Sequence, residues 1–220
     1  MTSGTGASDI MAMPVIDKES LIVNLDEMGA VKFGEFTLKS GETSPVYLDL
    51  RLLVSRPATL RRVARMMQAT ASDLTFDRVA AIPMAGLPIG VAFSLTADIP
   101  LIYPRPQVKG HGTARFIEGT YHPGERVLLV DDVISRADSK LEAAALLEAV
   151  QLEVRDMLVV VDRQMGGAQM LEERGYRLHA LLTIQEILDT LARLERITKD
   201  QYDFISAWLE ESRHGRSRTP

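Results

Sequence analysis

Two adjacent carboxylates follow a short apolar run in RVLLVDDVISRADSKLE, residues 126–142. The run Val127–Val130 predicts a buried strand, which a polar loop and a helix beginning at Ser139 would follow. At the carboxyl edge of a parallel sheet, the amides of such a loop and the positive end of the helix dipole attract an anion. Because successive strand residues point to opposite faces, we expect one of Asp131 and Asp132 to reach the crevice more directly. A carboxylate there can hold sugar hydroxyls or a hydrated Mg²⁺.

The same segment also has a purely structural interpretation. Ser139, Lys140, Leu141 and Glu142 have the spacing of a capping box, so the segment could be no more than a well-capped helix start. The residues of this segment by themselves leave both interpretations open.

The composition narrows the classes of protein to consider. The chain has 220 residues, of which 46% are hydrophobic and 25% charged, as expected for one globular domain of ordinary size. A net charge of −5 gives no basic surface for nucleic acid or an anionic membrane, so we expect neither as a partner. The absence of cysteine excludes disulfides and thiolate metal sites, and it is compatible with a reducing cytoplasm, where we expect the protein to work.

Short apolar runs alternate with helical stretches in the larger part of the chain, from residue 79 onward. The predicted strands are Val79–Ile82, Leu101–Tyr103, Val127–Val130, Met157–Val161 and Leu178–Leu182. The predicted helices are Leu87–Thr96, Ser139–Val150, Ala168–Arg174 (closed by Gly175), Ile184–Leu194 and Lys199–Glu211. This alternation predicts an α/β fold with a mostly parallel, doubly wound sheet flanked by helices, whose ligands bind beyond the carboxyl ends of the strands.

The region before residue 79 predicts a small antiparallel and helical subdomain. A helix is expected over Glu19–Gly29 and another after Pro57, with an antiparallel pair around the turn signal Ser40–Gly41 between them. We expect residues 1–15 to form a flexible leader, 16–211 a single domain, and 212–220 a flexible basic tail.

Four segments resemble, in order and approximate spacing, the orotate phosphoribosyltransferases of the type I phosphoribosyltransferase family, including the orotate domain of UMP synthases. They are FGEFTLKSGETSPVYLDLR, YPRPQVKGHGTARFIEG, VLLVDDVISRADSKLEA and VVVDRQMGG. The resemblance implies the type I fold and transfer of phosphoribosyl from phosphoribosyl diphosphate (PRPP) to N1 of orotate, in UMP biosynthesis. It also implies Mg²⁺ bound through PRPP, with no direct protein ligand, and a homodimer.

The resemblance further implies roles for the acidic pair and the loop that follows it. Asp131 and Asp132 match the pair that holds the ribose 2′ and 3′ hydroxyls. The loop that wraps the 5′-phosphate matches Ser135, Arg136, Ala137, Asp138 and Ser139.

Two further groups of residues match substrate contacts of the family. Arg105, Lys109 and His111 lie in the mobile catalytic loop, whose basic side chains reach the pyrophosphate in the neighbouring subunit's site. Around the base, the matched residues are Lys39 near orotate and PRPP, Ser40 and Gly41 with backbone amides for the pyrimidine, and Arg163 for the orotate carboxylate. The planar fork of an arginine suits a planar acid.

Three residues depart from the family pattern. Ala137 replaces a glycine, Asp138 replaces a small neutral residue, and Pro106 replaces a cation in the catalytic loop. A carboxylate about 5 Å from a phosphate would cost on the order of 3 kcal/mol at an effective dielectric constant of 20, unless Asp138 turns away as a helix N-cap. These departures keep two alternatives open: a non-catalytic paralogue that senses PRPP or a nucleotide, and a phosphoribosyltransferase for another base.

Overall fold

The structure is a computed structural model that describes residues 17–37, 41, 43–105 and 116–213. Its first elements are α1 (Lys18–Glu27), β1 (Val31–Thr37), β2 (Thr43–Leu48), a 3-10 helix (Leu50–Ser55) and α2 (Pro57–Thr70). The side chain of Asp17 caps α1 by accepting the Ser20 N–H at 2.6 Å. Strands β1 and β2 form the predicted antiparallel pair.

The remaining elements alternate as the apolar runs predict. They are β3 (Arg78–Ala81), α3 (Gly86–Ala97), β4 (Leu101–Pro104), β5 (Ile117–Glu118), β6 (Arg126–Ile134), α4 (Asp138–Glu148), β7 (Glu153–Asp162), α5 (Gly167–Glu172), β8 (Arg177–Thr183), α6 (Ile184–Arg193) and α7 (Lys199–Arg213). The six strands lie in the order β5-β4-β3-β6-β7-β8, and only the β4–β5 pair is antiparallel. From β3 the strand order extends to one side through β4 and β5 and to the other side through β6, β7 and β8. The switch point between β3 and β6 is where doubly wound folds bind ligands.

Apolar residues from both faces of this sheet form two cores. Leu128 and Val130 of β6 belong to the core that also takes in α1, α2 and α6, whereas Val127 and Leu129 pack in the core with α4. This alternation is the two-residue period of a strand buried on both sides. Within the described ranges, no helix has the length and apolar character needed to cross a bilayer.

Three features of the fold differ from the sequence-based expectation. β6 does not end at Val130, because β7 pairs with it in parallel as far as Ile134 and so carries the strand past both carboxylates. The 3-10 helix and the two-residue β5 were not predicted. β5 depends on pairing with β4, Pro104 opposite Ile117, and a run of two residues carries no periodic signal.

Candidate active site

The acidic pair lies in the last part of β6, beside the switch point of the sheet. Asp131 is 6% exposed and pairs across the sheet with Val159, whereas Asp132 is only partly buried. Each carboxylate accepts the next backbone N–H: Asp131 Oδ1 that of Asp132 at 2.9 Å, and Asp132 Oδ1 that of Val133 at 2.8 Å. Asp132 is thus the member of the pair that is more open to solvent.

The surroundings of Asp132 disfavour its charged form. Burial, and then the neighbouring Asp131 charge, raise the pKa of Asp132 from 3.8 to about 7. Arg51 lies close enough to attract Asp132, and its guanidinium is held by the Asp49 carboxylate at 2.7 Å and by the Tyr47 hydroxyl at 3.1 Å. A ligand that donates hydroxyl hydrogen bonds to Asp132 would therefore relieve an unfavourable charge.

The loop from Ser135 to Ser139 leads into α4 without a side-chain cap. Helix α4 begins at Asp138, which is exposed, and the N-cap position is taken by Ala137. The prediction of Asp138 as an N-cap is wrong, and so is the capping box at Ser139, because the N-cap lies one residue before Asp138 and two residues before Ser139. No side chain at the N-cap accepts a hydrogen bond from the first amides of α4. These amides are therefore available to bind a phosphate.

The alanine in this loop does not strain the backbone. Ala137 has φ −90° and ψ 0°, the conformation of the third residue of a type I turn, which most residues can adopt, and its side chain is fully buried in the core with α4. The position therefore does not need the conformational freedom of the glycine that Ala137 replaces. Of the two departures in this loop, the Asp138 charge is the one that bears on an anion, and Pro106 lies outside the described residues.

Two glycines allow neighbouring helices to approach this edge of the sheet. A Cβ on Gly86 would lie 2.8 Å from Asp131 Oδ1 and 3.1 Å from the Val130 carbonyl oxygen. A Cβ on Gly167 would lie 2.7 Å from Ile134 Cγ1 and 2.8 Å from the Ser135 carbonyl oxygen. Larger residues at either position would push the acidic pair or the loop out of place.

Arg163 directly follows β7 and carries a buried cation. Its Nη2 donates to Ser44 Oγ at 2.9 Å and to the Val46 carbonyl at 3.2 Å, and its Nη1 donates to Ser135 Oγ at 3.4 Å. Among the described residues its Nε is buried without a partner, and burial lowers the pKa of the guanidinium. A buried cation in this state favours an anionic partner.

Comparison with known proteins shows the family of this chain. The chain is 37% identical to orotate phosphoribosyltransferase of Caenorhabditis elegans over 202 residues, which cover 91% of this chain and 89% of that protein. This chain belongs to the orotate phosphoribosyltransferase family. It is also 38% identical to the bovine uridine 5′-monophosphate synthase over 195 residues, 88% of this chain, but it spans only 41% of that protein's length. No family model matches the chain.

Solved structures of orotate phosphoribosyltransferases share the fold. The Aeropyrum pernix protein, 32% identical, aligns with a TM-score of 0.71 over 81% of this chain and 99% of its own. The Mycobacterium tuberculosis protein in complex with PRPP is 25% identical, with a TM-score of 0.64 over 77% of this chain and 97% of its own. The predicted type I phosphoribosyltransferase fold is therefore confirmed.

The structure brings only some of the residues matched to this family together. Arg163 and the phosphate loop meet through Ser135, and that loop follows the acidic pair directly. Arg105 lies at the end of β4, two strands from β6, where it pairs with Glu118 of β5 and is about half exposed. Gly41 has φ +84°, a conformation that glycine adopts readily. Lys39, Ser40, Lys109 and His111 lie outside the described residues.

One charged residue at this site was missed in the sequence. Lys140, in the first turn of α4, is 4% exposed and places Nζ 2.6 Å from Asp131 Oδ2. The sequence interpretation took it only as an interior position of a capping box. The signal that could have found it is a lysine in the first turn of a helix, where the dipole disfavours a cation.

Proposed function

We propose that this chain transfers the phosphoribosyl group from PRPP to N1 of orotate, giving orotidine 5′-monophosphate and pyrophosphate. The observation that carries the proposal is the convergence at one sheet edge of the acidic pair, the uncapped start of α4 and the buried Arg163 cation. These three features suit the hydroxyls and phosphate of PRPP and the carboxylate of orotate. Family membership supports the same assignment.

The acidic pair suits the charge that develops during this reaction. The bond from ribose C1 to the pyrophosphate oxygen breaks, the bond from C1 to orotate N1 forms, and the sugar carries positive charge between them. Carboxylates fixed beside the ribose stabilise that charge and accept its hydroxyl hydrogen bonds. Binding through those hydroxyls favours the ionised form of Asp132, whose pKa of about 7 in the free site makes ionisation costly near neutral pH.

The two anionic ends of the substrates have separate positions in this assignment. The 5′-phosphate binds the first amides of α4, with the hydroxyls of Ser135 and Ser139 at the same loop. The orotate carboxylate binds the guanidinium of Arg163, whose Nε has no partner among the described residues and which already contacts β2 and the phosphate loop. One buried arginine thus connects the base pocket to the sugar-phosphate pocket.

Mg²⁺ enters this proposal as a partner of PRPP. In the described part of the chain, no group of three or more histidine, aspartate or glutamate side chains is placed to hold a metal. The residues that would meet the ion are Asp131 and Asp132, through its water shell. The ion would neutralise the leaving pyrophosphate, and we expect chelation by EDTA to suppress turnover.

We also propose a homodimer in the cytoplasm. Three apolar side chains at or near α3, Met84, Val91 and Leu95, are 75%, 44% and 79% exposed, and a second copy would cover them. The match of Lys109 to a loop that enters the neighbouring site supports the same arrangement. The absence of cysteine supports the reducing compartment.

Subunit complementation tests the shared site directly. A Lys109→Ala subunit and an Asp132→Asn subunit are each expected to be inactive alone. In a twofold dimer, mixing and refolding them restores one intact site in half of the molecules, or about a quarter of the wild-type activity. No recovery in a mixture that light scattering shows to be dimeric would contradict the shared site.

The activity itself is tested by the loss of orotate absorbance when PRPP and Mg²⁺ are added. Turnover that disappears in the Asp131→Asn, Asp132→Asn double variant supports the proposal. If PRPP stabilises the protein, by about 2.7 kcal/mol at a hundred times its Kd, but no pyrophosphate is released with orotate, the chain is instead a PRPP sensor. Turnover with another base that survives Arg163→Ala would assign that base.

A further inference from the structure

Lys140 forms a closed ion pair with the first of the two aspartates. Its ammonium lies 2.6 Å from Asp131 Oδ2, 2.5 Å from the Val133 carbonyl oxygen and 3.4 Å from Ser139 Oγ. These contacts can use all three ammonium hydrogens. The side chains of Lys140 and Asp131 are 6% and 9% exposed, so both charges are removed from water.

This location is unfavourable for a lysine that serves only helix stability. Residue 140 is the third residue of α4, and the first turn of a helix favours anions because of its unpaired amides and its dipole. Burying an ammonium and a carboxylate costs desolvation energy that their attraction does not reliably recover. The pair therefore calls for an explanation other than stability.

The contacts of the ammonium join two parts of the proposed site. Asp131 and Val133 belong to β6, on the side of the site proposed to bind the ribose, whereas Ser139 belongs to the phosphate-binding start of α4. The other oxygen of Asp131 accepts the Asp132 N–H and lies against Gly86. Asp131 is thus held on both oxygens, and the ammonium fixes it relative to the phosphate loop.

We propose that Lys140 is a positioning residue that fixes the ribose-binding carboxylate of Asp131 relative to the 5′-phosphate loop. The two groups that bind PRPP are then held at a fixed distance from each other before PRPP binds. This inference rests on the proposed function, because it takes PRPP as the ligand. Lys140 does not touch the substrate; it acts by holding the Asp131 carboxylate against the first turn of α4.

The test uses Lys140→Met, which keeps the length of the side chain and removes the charge. We expect the KM and the calorimetric Kd for PRPP to rise at least about tenfold, since a preformed spacing of the two PRPP-binding groups lowers the ordering cost of binding. The KM for orotate should stay within about twofold and kcat within about threefold of wild type. If the role of the lysine is purely structural, Lys140→Met should lower the melting temperature without a selective rise in the KM and Kd for PRPP over the KM for orotate and kcat.

Arg78→Met provides the matched control. Arg78 also forms an ion pair with little exposure to solvent, in this case with Glu125, and its side chain is 11% exposed. It is the first residue of β3, at the end of that strand away from the proposed site. We expect this variant to lose stability without any selective change in PRPP binding. An equal rise in the PRPP Kd in both variants, or no rise in Lys140→Met, overturns the inference.

A second comparison keeps the test decisive if Lys140→Met does not fold. Asp131→Asn and the double variant Asp131→Asn, Lys140→Met differ only in the lysine, and the double variant contains no unpaired buried charge at this position. If Lys140 acts through Asp131, the two variants bind PRPP within about twofold of each other. A further tenfold loss in the double variant overturns the inference.

The PRPP titrations also separate this inference from the proposed function. If the wild-type protein binds PRPP but does not turn over orotate, and Lys140→Met selectively loses PRPP binding, the positioning role is supported and the transferase is refuted. Wild-type protein that does not bind PRPP overturns both.

Discussion

Replacement of Gly86 by alanine is expected to weaken PRPP binding, although no side chain at residue 86 is proposed to contact PRPP. The new Cβ would lie 2.8 Å from Asp131 Oδ1 and 3.1 Å from both Asp131 Cα and the Val130 carbonyl oxygen. Ordinary contact begins at 3.4 Å, so the carboxylate must move by about 0.6 Å (3.4 − 2.8) and the backbone by about 0.3 Å (3.4 − 3.1). Helix α3 and strand β6 would therefore separate at the ribose side of the site.

The magnitude follows from this displacement. Overpacking of this kind costs about 1–3 kcal/mol, which lowers the melting temperature by roughly 2–12 °C in a domain of this size. Because a misplacement of about 1 Å near the chemistry costs on the order of a hundredfold, we expect about a tenfold loss in kcat/KM for PRPP. The assay is the orotate absorbance change at varied PRPP, together with a thermal melt.

Gly90→Ala, one turn further along α3, is the control for this prediction. Its Cβ would lie 2.5 Å from Ala81 Cβ, so it crowds β3 and not Asp131. We expect at least as large a fall in melting temperature but less than about a threefold change in kcat/KM for PRPP. Gly86→Ala with unchanged kinetics, or the same kinetic loss in both variants, would refute the reasoning.

Three further changes test separate features of the site and the fold. Burial raises the pKa of Asp132 to about 7, so the carboxyl stabilises the free protein below its unfolded pKa of about 4 and loses this effect as the pH rises through 7. Asp132→Asn should raise the melting temperature at pH 8 but not at pH 4 while abolishing turnover, and an equal shift at both pH values would contradict the raised pKa. Asp138→Ser should lower the KM for PRPP about fourfold at low salt, because an exposed charge about 5 Å from a phosphate costs roughly 0.8 kcal/mol in water; a higher KM, or an effect that persists at high salt, would count against this. Thr183→Ala removes the capping box that Thr183 forms with Glu186 at the start of α6, which should cost about 1 kcal/mol, or 2–4 °C, with unchanged kcat; an unaltered melting temperature would show that the box contributes nothing.

Local patterns in the sequence predict most of the fold and the position of some charged residues at this edge of the sheet. Val127–Val130 and Met157–Val161 are apolar runs whose period and length indicate buried strands, and the structure places strands at both. Gly175 has φ +85°, as expected for the glycine that ends a helix. The acidic pair directly follows one such run, and Arg163 lies two residues beyond the end of the other, so both positions could be placed at the same sheet edge.

The start of α4 could not be predicted with the same accuracy. Ser139 to Glu142 has the spacing of a capping box, but the amide of Gly167 bonds the Ser135 carbonyl at 3.1 Å and fixes where the loop ends. With the loop held there, Ala137 becomes the N-cap and Asp138 the first helical residue. A contact with α5, made after the whole of β7, thus overrides the local signal.

The amino-acid sequence by itself determined the order of strands and helices, the family, and the residue types at the sheet edge, because these depend on hydrophobic period and on neighbours along the chain. Only the tertiary structure decided that β6 continues past Asp131, that Lys140 neutralises that carboxylate, and that Arg163 faces Ser44, 119 residues away. The physical reason is that strand length, buried ion pairs and the direction of a buried guanidinium depend on partners that folding brings together. No local pattern records those partners.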